Sequence, residues 1–113
     1  MNEGDICLAS MPQADGQAKL HPALILRKMP PYGDSLVCGI SSNIQHQVDG
    51  FDVIISPSDR DFENSGLKLE SLVRLGFLAV LPTNYLVGVI GTIGRQRHRL
   101  LLQRLARHLI ALE

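Results

Sequence analysis

A chain of 113 residues, 45% hydrophobic and formally neutral, has room for one core and reads as one domain over residues 1–113. No apolar run reaches the roughly 18 residues of a membrane helix. The acidic opening Met1-Asn2-Glu3-Gly4-Asp5 lacks the apolar stretch of a signal peptide, so a cytoplasmic protein with no membrane partner is expected. Cys7 and Cys38 stand in apolar runs, with no CxxC and no Cys/His cluster, which reads as buried free thiols in a reducing compartment and no zinc site. Charge is uneven: residues 1–70 carry ten acids and five bases, a net −5, and residues 71–113 carry six arginines and one acid, a net +5. Arg95, Arg97, Arg99, Arg104 and Arg107 form either a phosphate-attracting or a solvated helix face.

In chain order, residues 4–11 read as a strand, with Ile6 and Leu8 on one face and Cys7 and Ala9 on the other. Residues 12–20 read as a loop around the turn signal Asp15-Gly16. Residues 23–29 are nearly all apolar and read as a central strand, with Pro22 at its entrance, where no ladder donor is needed. Pro30-Pro31-Tyr32-Gly33-Asp34 forces a turn, and residues 36–41 form a third buried strand. A polar stretch ending in Asp49-Gly50 leads to a fourth strand at 51–55. Residues 56–65 read as a loop with room for a helical turn, 66–69 and 71–77 as short strands, and 86–93 as the last strand, broken by Gly88 and Gly91.

The period then changes. Leu101, Leu105, Leu109 and Leu112 recur at helical spacing, reinforced by Leu102, with Arg99, Gln103 and Arg107 opposite, so residues 94–112 hold an amphipathic helix. Short strands without crossover helices exclude a parallel βαβ sheet. The fold class expected is mainly β with a C-terminal helix, a small, strongly bent β-barrel over residues 1–93.

His21 stands at the mouth of the second strand, and Ser41-Ser42 close the third. A base or acid beside hydroxyls at strand ends suits phosphate binding or phosphodiester cleavage. The plainer readings are a backbone-bonded histidine and serines in turn chemistry. Tyr32 and Phe62 fall in expected loops and can stack on bases, whereas Phe51 and Phe77 read as core. His46 reads as a loop residue, and His98 and His108 as structural or solvated helix residues.

Several segments together resemble the MazF/PemK family of toxins from type II toxin–antitoxin systems. Gly4-Asp5-Ile6-Cys7-Leu8 is similar to the family's G-D-[IV]-x-[LW] first strand, and His21-Pro22-Ala23-Leu24-Ile25-Leu26 to its R-P-A-[LV]-[VI]-[LV] second strand. Ile40-Ser41-Ser42 resembles I-T-[ST], and Ser65-Gly66-Leu67 through Ser71-Leu72-Val73-Arg74 resembles s-G-L-x-x-x-S-x-[VI]-R. Leu81-Pro82 and Val89-Ile90-Gly91-Thr92-Ile93 resemble the strand before the final helix.

The resemblance implies an SH3-like barrel, a homodimer and cofactor-free, metal-independent cleavage of single-stranded RNA. It also implies a cognate antitoxin, with operator DNA reached only through the antitoxin complex. By motif position the catalytic pair falls on His21 and Ser41, where the family has arginine and threonine, and Arg74 falls on the family's arginine. In that scheme His21 is general acid or base or a phosphate donor, Ser41 donates to a non-bridging oxygen, and Arg74 meets the transition-state charge. Arg74 has a plainer reading as the ion-pair partner of Glu70 or Asp5. Lys19, Ser42, Asn43 and Tyr32 are the expected RNA contacts. The alternative is a binding module with this fold that holds antitoxin or nucleic acid without cutting it.

Overall fold

The computed structural model describes residues 1–12 and 15–112. Strands β1 (Asp5–Pro12), β2 (Ala18–Met29), β3 (Asp34–Ser41) and β4 (Val53–Ile55) come first. A one-turn helix α1 (Phe62–Ser65), strands β5 (Ser71–Leu81) and β6 (Leu86–Thr92) and helix α2 (Arg95–Ile110) complete the chain. The six strands form one antiparallel sheet in the order β4-β5-β3-β2-β1-β6. Among the described residues no helix is long and apolar enough to cross a membrane.

Alternation of side chains divides the sheet into two faces. One face carries Ile6, Leu24, Leu26, Cys38, Ile40, Val73 and Leu75, and against it pack Leu101 and Leu105 of α2. The other carries Cys7, Ala9, Met11, Ala23, Ile25 and Val37, with Leu81 and Leu86. Near-continuous apolar runs in β2 and β3 follow from this, since both faces are buried. Both cysteines are buried free thiols, and burial pushes the Cys38 thiol up to about 12.

The sheet bends strongly without closing, so the expected barrel is an open one. Register shifts lie between Ile25 and Arg27 on β2, at two places between β1 and β6, and between Cys38 and Gly39 on β3. Such shifts add local twist and curl the sheet around α2. The edge strands β4 and β6 do not pair; α1 packs against β6 instead. Gly66 ends α1 in the left-handed conformation (φ +75°), and its Cα faces the Ile90 carbonyl so closely that a Cβ has no room. Gly91 makes the reciprocal approach to the backbone of Asn64 and Ser65.

Arg97 holds the same gap from the helix side. Its Nε donates to Asp61 Oδ2 (2.8 Å), Nη2 to Asp61 Oδ1 and Asp59 Oδ2 (both 2.9 Å), and Nη1 to the Ile54 carbonyl of β4 (3.1 Å). These bonds hold the Asp61 carboxyl below its ordinary value, and they raise Arg97 above its own. Arg104 likewise donates to the Asp52 carbonyl (2.8 Å). Two of the five helix arginines are thus structural, whereas Arg95, Arg99 and Arg107 are exposed.

Several expectations about the elements and their packing need correction. Residues 66–69 are not a strand, because the left-handed Gly66 ends α1 and the chain stays irregular to Glu70. Lys19 and Leu20 belong to β2, not to a loop, because β2 pairs with β1 as far as Ala18. Phe62 packs against the main core and does not stand free in a loop. In α2 the leucine period runs on, but the core it covers ends at Leu105: Leu109 is 64% exposed and Leu112 is 89% exposed.

Candidate active site

A groove of about 430 Å³ opens at the end of the sheet, lined by residues of β1, β2, β3 and β5 and the loop before β5. His21, Ser41, Ser42 and Arg74 all line it. The local cause lies in β2. Its ladder with β3 ends at the pair Ala23–Gly39. The same register carried two residues further sets His21 across from Ser41, but Pro22 has no N–H with which to extend the ladder. The strands therefore part there, and the two side chains project from the face that also bears Ala23 and Gly39.

Arg74 enters from the neighbouring strand, opposite Gly39. The preceding residue of β3, Cys38, pairs with Leu78, so Leu75, Gly76 and Phe77 form a three-residue bulge on β5. The freed N–H of Leu75 is not orphaned: it donates to Asp52 Oδ1 (3.0 Å), a nearly buried carboxylate whose other oxygen takes the N–H of Val48. The bulge brings Phe77 to the groove, where it is 42% exposed and not in the core as expected. The Arg74 guanidinium carbon lies 5.7 Å from the Phe77 ring centroid. Among the described residues Arg74 forms no ion pair, with Glu70, Asp5 or any other acid.

The remaining expected contacts divide. Ser41 Oγ accepts the N–H of Asn43 (3.0 Å), which leaves its hydroxyl proton free to donate. Asn43 caps a short 3-10 turn (Ile44–His46) by accepting the N–H of Gln45 (3.2 Å), and it does not line the groove. Lys19 lies opposite Met11, itself a groove residue, so it stands just beyond the groove. Tyr32 is 88% exposed at the tip of the β2–β3 hairpin, the end away from Gly39 and the groove. Lys68 lines the groove and was missed. Its position in the Gly66-to-Ser71 segment was the available signal, masked by the strand expected there. The described lining residues include His21, Lys68 and Arg74 and no carboxylate, so the groove suits an anion. Among the described residues no cluster of three or more His, Cys, Asp or Glu side chains is placed to hold a metal ion. His98 is structural, its Nε2 lying 2.8 Å from the Leu26 carbonyl, and His108 lies against Phe51.

The family model of PemK-like, MazF-like toxins of type II toxin–antitoxin systems matches residues 2–109. The chain belongs to this family. Among solved structures, the Mycobacterium tuberculosis toxin MazF-mt6 is similar in fold, with a TM-score of 0.66 at 21% identity, over 93% of this chain and 95% of that one. No curated protein matches. In this MazF-like chain the groove is lined by a histidine within β2, His21, and by a serine at the end of β3, Ser41.

Proposed function

We propose that this toxin is a cytoplasmic, metal-independent endoribonuclease that cleaves single-stranded RNA, acts as a homodimer of one-domain chains and is neutralised by a cognate antitoxin. The observation that carries the reading is the convergence of His21, Ser41 and Arg74 on one open, cationic groove. Cleavage is a transesterification. The RNA 2′-oxygen attacks phosphorus as its proton passes to a base, and the P–O5′ bond breaks as the 5′-oxygen gains a proton. The products are a 2′,3′-cyclic phosphate and a 5′-hydroxyl.

His21 brings an imidazole to the groove, a side chain that can both take and give a proton, which suits it to proton transfer. Ser41, already an acceptor toward Asn43, donates its proton to a non-bridging oxygen. Arg74 is a guanidinium that pairs with no carboxylate among the described residues, and it stabilises the charge on the pentacoordinate phosphorus. Lys68 and Ser42 contact the flanking backbone, and Lys19 reaches the next phosphate outward.

The experiment is cleavage of a labelled single-stranded RNA in excess EDTA, with the products resolved by end-group chemistry. A 2′,3′-cyclic phosphate end supports the reading. Salt-dependent RNA binding without cleavage would instead favour the non-catalytic binding module, which the replacement of arginine and threonine by His21 and Ser41 makes the second reading.

A further inference from the structure

A flexible arginine spreads its charge over many rotamers, and transition-state stabilisation needs charge that is already in place. Something must therefore hold Arg74. A carboxylate would fix the guanidinium but cancel its charge, and among the described residues none pairs with it. The aromatic ring 5.7 Å away lies within the range of a cation–π contact, which attracts the cation and leaves its N–H donors free.

The ring itself is seated. A Cβ built on Gly39 would stand 2.9 Å from Phe77 Cδ2 and 3.4 Å from Cγ, so the ring occupies space that any other residue of β3 would fill. The seat depends on the three-residue bulge of β5, which Asp52 braces from the core through the Leu75 N–H. Asp52, the bulge, Gly39 and Phe77 thus lead in sequence to one guanidinium at the groove.

We infer that Phe77 is a positioning residue that holds Arg74 in the groove through its ring face, with Gly39 as its seat. This rests on the ribonuclease reading above for its consequence, though not for its geometry. Phe77 is half-exposed, so its replacement leaves the fold intact.

The test compares wild type, Phe77→Leu, which keeps apolar bulk without a ring, and Phe77→Tyr, which keeps the ring. Two measurements are made on each full chain: kcat/KM for cleavage of a single-stranded RNA oligonucleotide, and the NMR shifts of the Arg74 Hδ and Hε protons. Wild type and Phe77→Tyr are expected to show ring-current-shifted Arg74 protons and kcat/KM values within about threefold of each other. Phe77→Leu is expected to lose the ring-current shift and about tenfold in kcat/KM. Unshifted Arg74 protons in wild type overturn the inference, as do equal cleavage by Phe77→Leu and wild type or equal losses in Leu and Tyr variants. If wild type cuts no RNA, the ribonuclease reading fails alone. The proton shifts then decide the positioning by themselves: present in wild type and lost in Phe77→Leu supports it, and absent in wild type overturns it.

Discussion

Arg97→Met removes the clasp between the two unpaired edges of the sheet. The wild-type side chain makes three charge-assisted hydrogen bonds to Asp59 and Asp61 and one to the Ile54 carbonyl, at 2.8–3.1 Å. Methionine keeps the aliphatic bulk and loses all four. A hydrogen bond to a charged group contributes about 1.5–3 kcal/mol net, and bonds sharing one group do not add. Breaking a fully buried pair costs about 3–5 kcal/mol. Arg97 and Asp61 are only partly buried and Asp59 is more open, so a loss of about 2–4 kcal/mol is expected. In urea unfolding followed by circular dichroism this lowers the midpoint by about 1–2 M. The pH dependence follows from the depressed Asp61 carboxyl. A carboxyl with a lowered folded value contributes stability above its ordinary value and loses it as pH falls through the lowered one. Arg97, raised, stays protonated throughout and adds no titration. The gap between wild type and Arg97→Met should therefore be full at neutral pH and narrow below about pH 4. An unchanged midpoint, or a gap that widens in acid, refutes the clasp.

Further tests address the packing. Gly91→Ala drives a methyl into the backbone of Asn64 and Ser65, whereas a Cβ at Gly88 on the same strand meets nothing within 4 Å. The first should cost about 3 kcal/mol in chemical unfolding and the second under about 0.5; equal effects would remove the α1–β6 contact from the account. Leu105→Ala should cost about 2–4 kcal/mol and Leu109→Ala under about 0.5, since only Leu105 is buried. A large loss at Leu109 in a monomeric preparation contradicts the described helix end. Burial raises both thiols, Cys38 to about 12, so a disulfide exchange reagent should label neither in native buffer and both in denaturant. Rapid native labelling of two thiols refutes their burial.

Much of the fold was legible because its signals were local. Apolar runs gave β2 and β3, Asp15-Gly16 and Asp49-Gly50 gave turns whose glycines take positive φ, and the leucine period gave α2, which runs to Ile110 with its buried face ending at Leu105. The losses share a cause: they depend on which distant element lies alongside. No period in the sequence shows that β6 needs a neighbour without side chains, so Gly66 read as a strand start when it is a helix cap set against Ile90. Phe77 read as core because an alternating strand would bury it; the three-residue bulge reverses its direction. Leu109 obeys the helical period but has no core beneath it. At the groove, sequence motifs placed His21, Ser41 and Arg74 on three different strands, and the structure sets all three around one opening. Lys68 was hidden by the same misread segment as Gly66.

The most direct measurement of the central claim is RNA cleavage in EDTA by wild type, His21→Ala and Ser41→Ala, each checked by circular dichroism for an intact fold. The account predicts cleavage by wild type and a loss of at least about a hundredfold in each variant. Wild-type rates in both variants would contradict it.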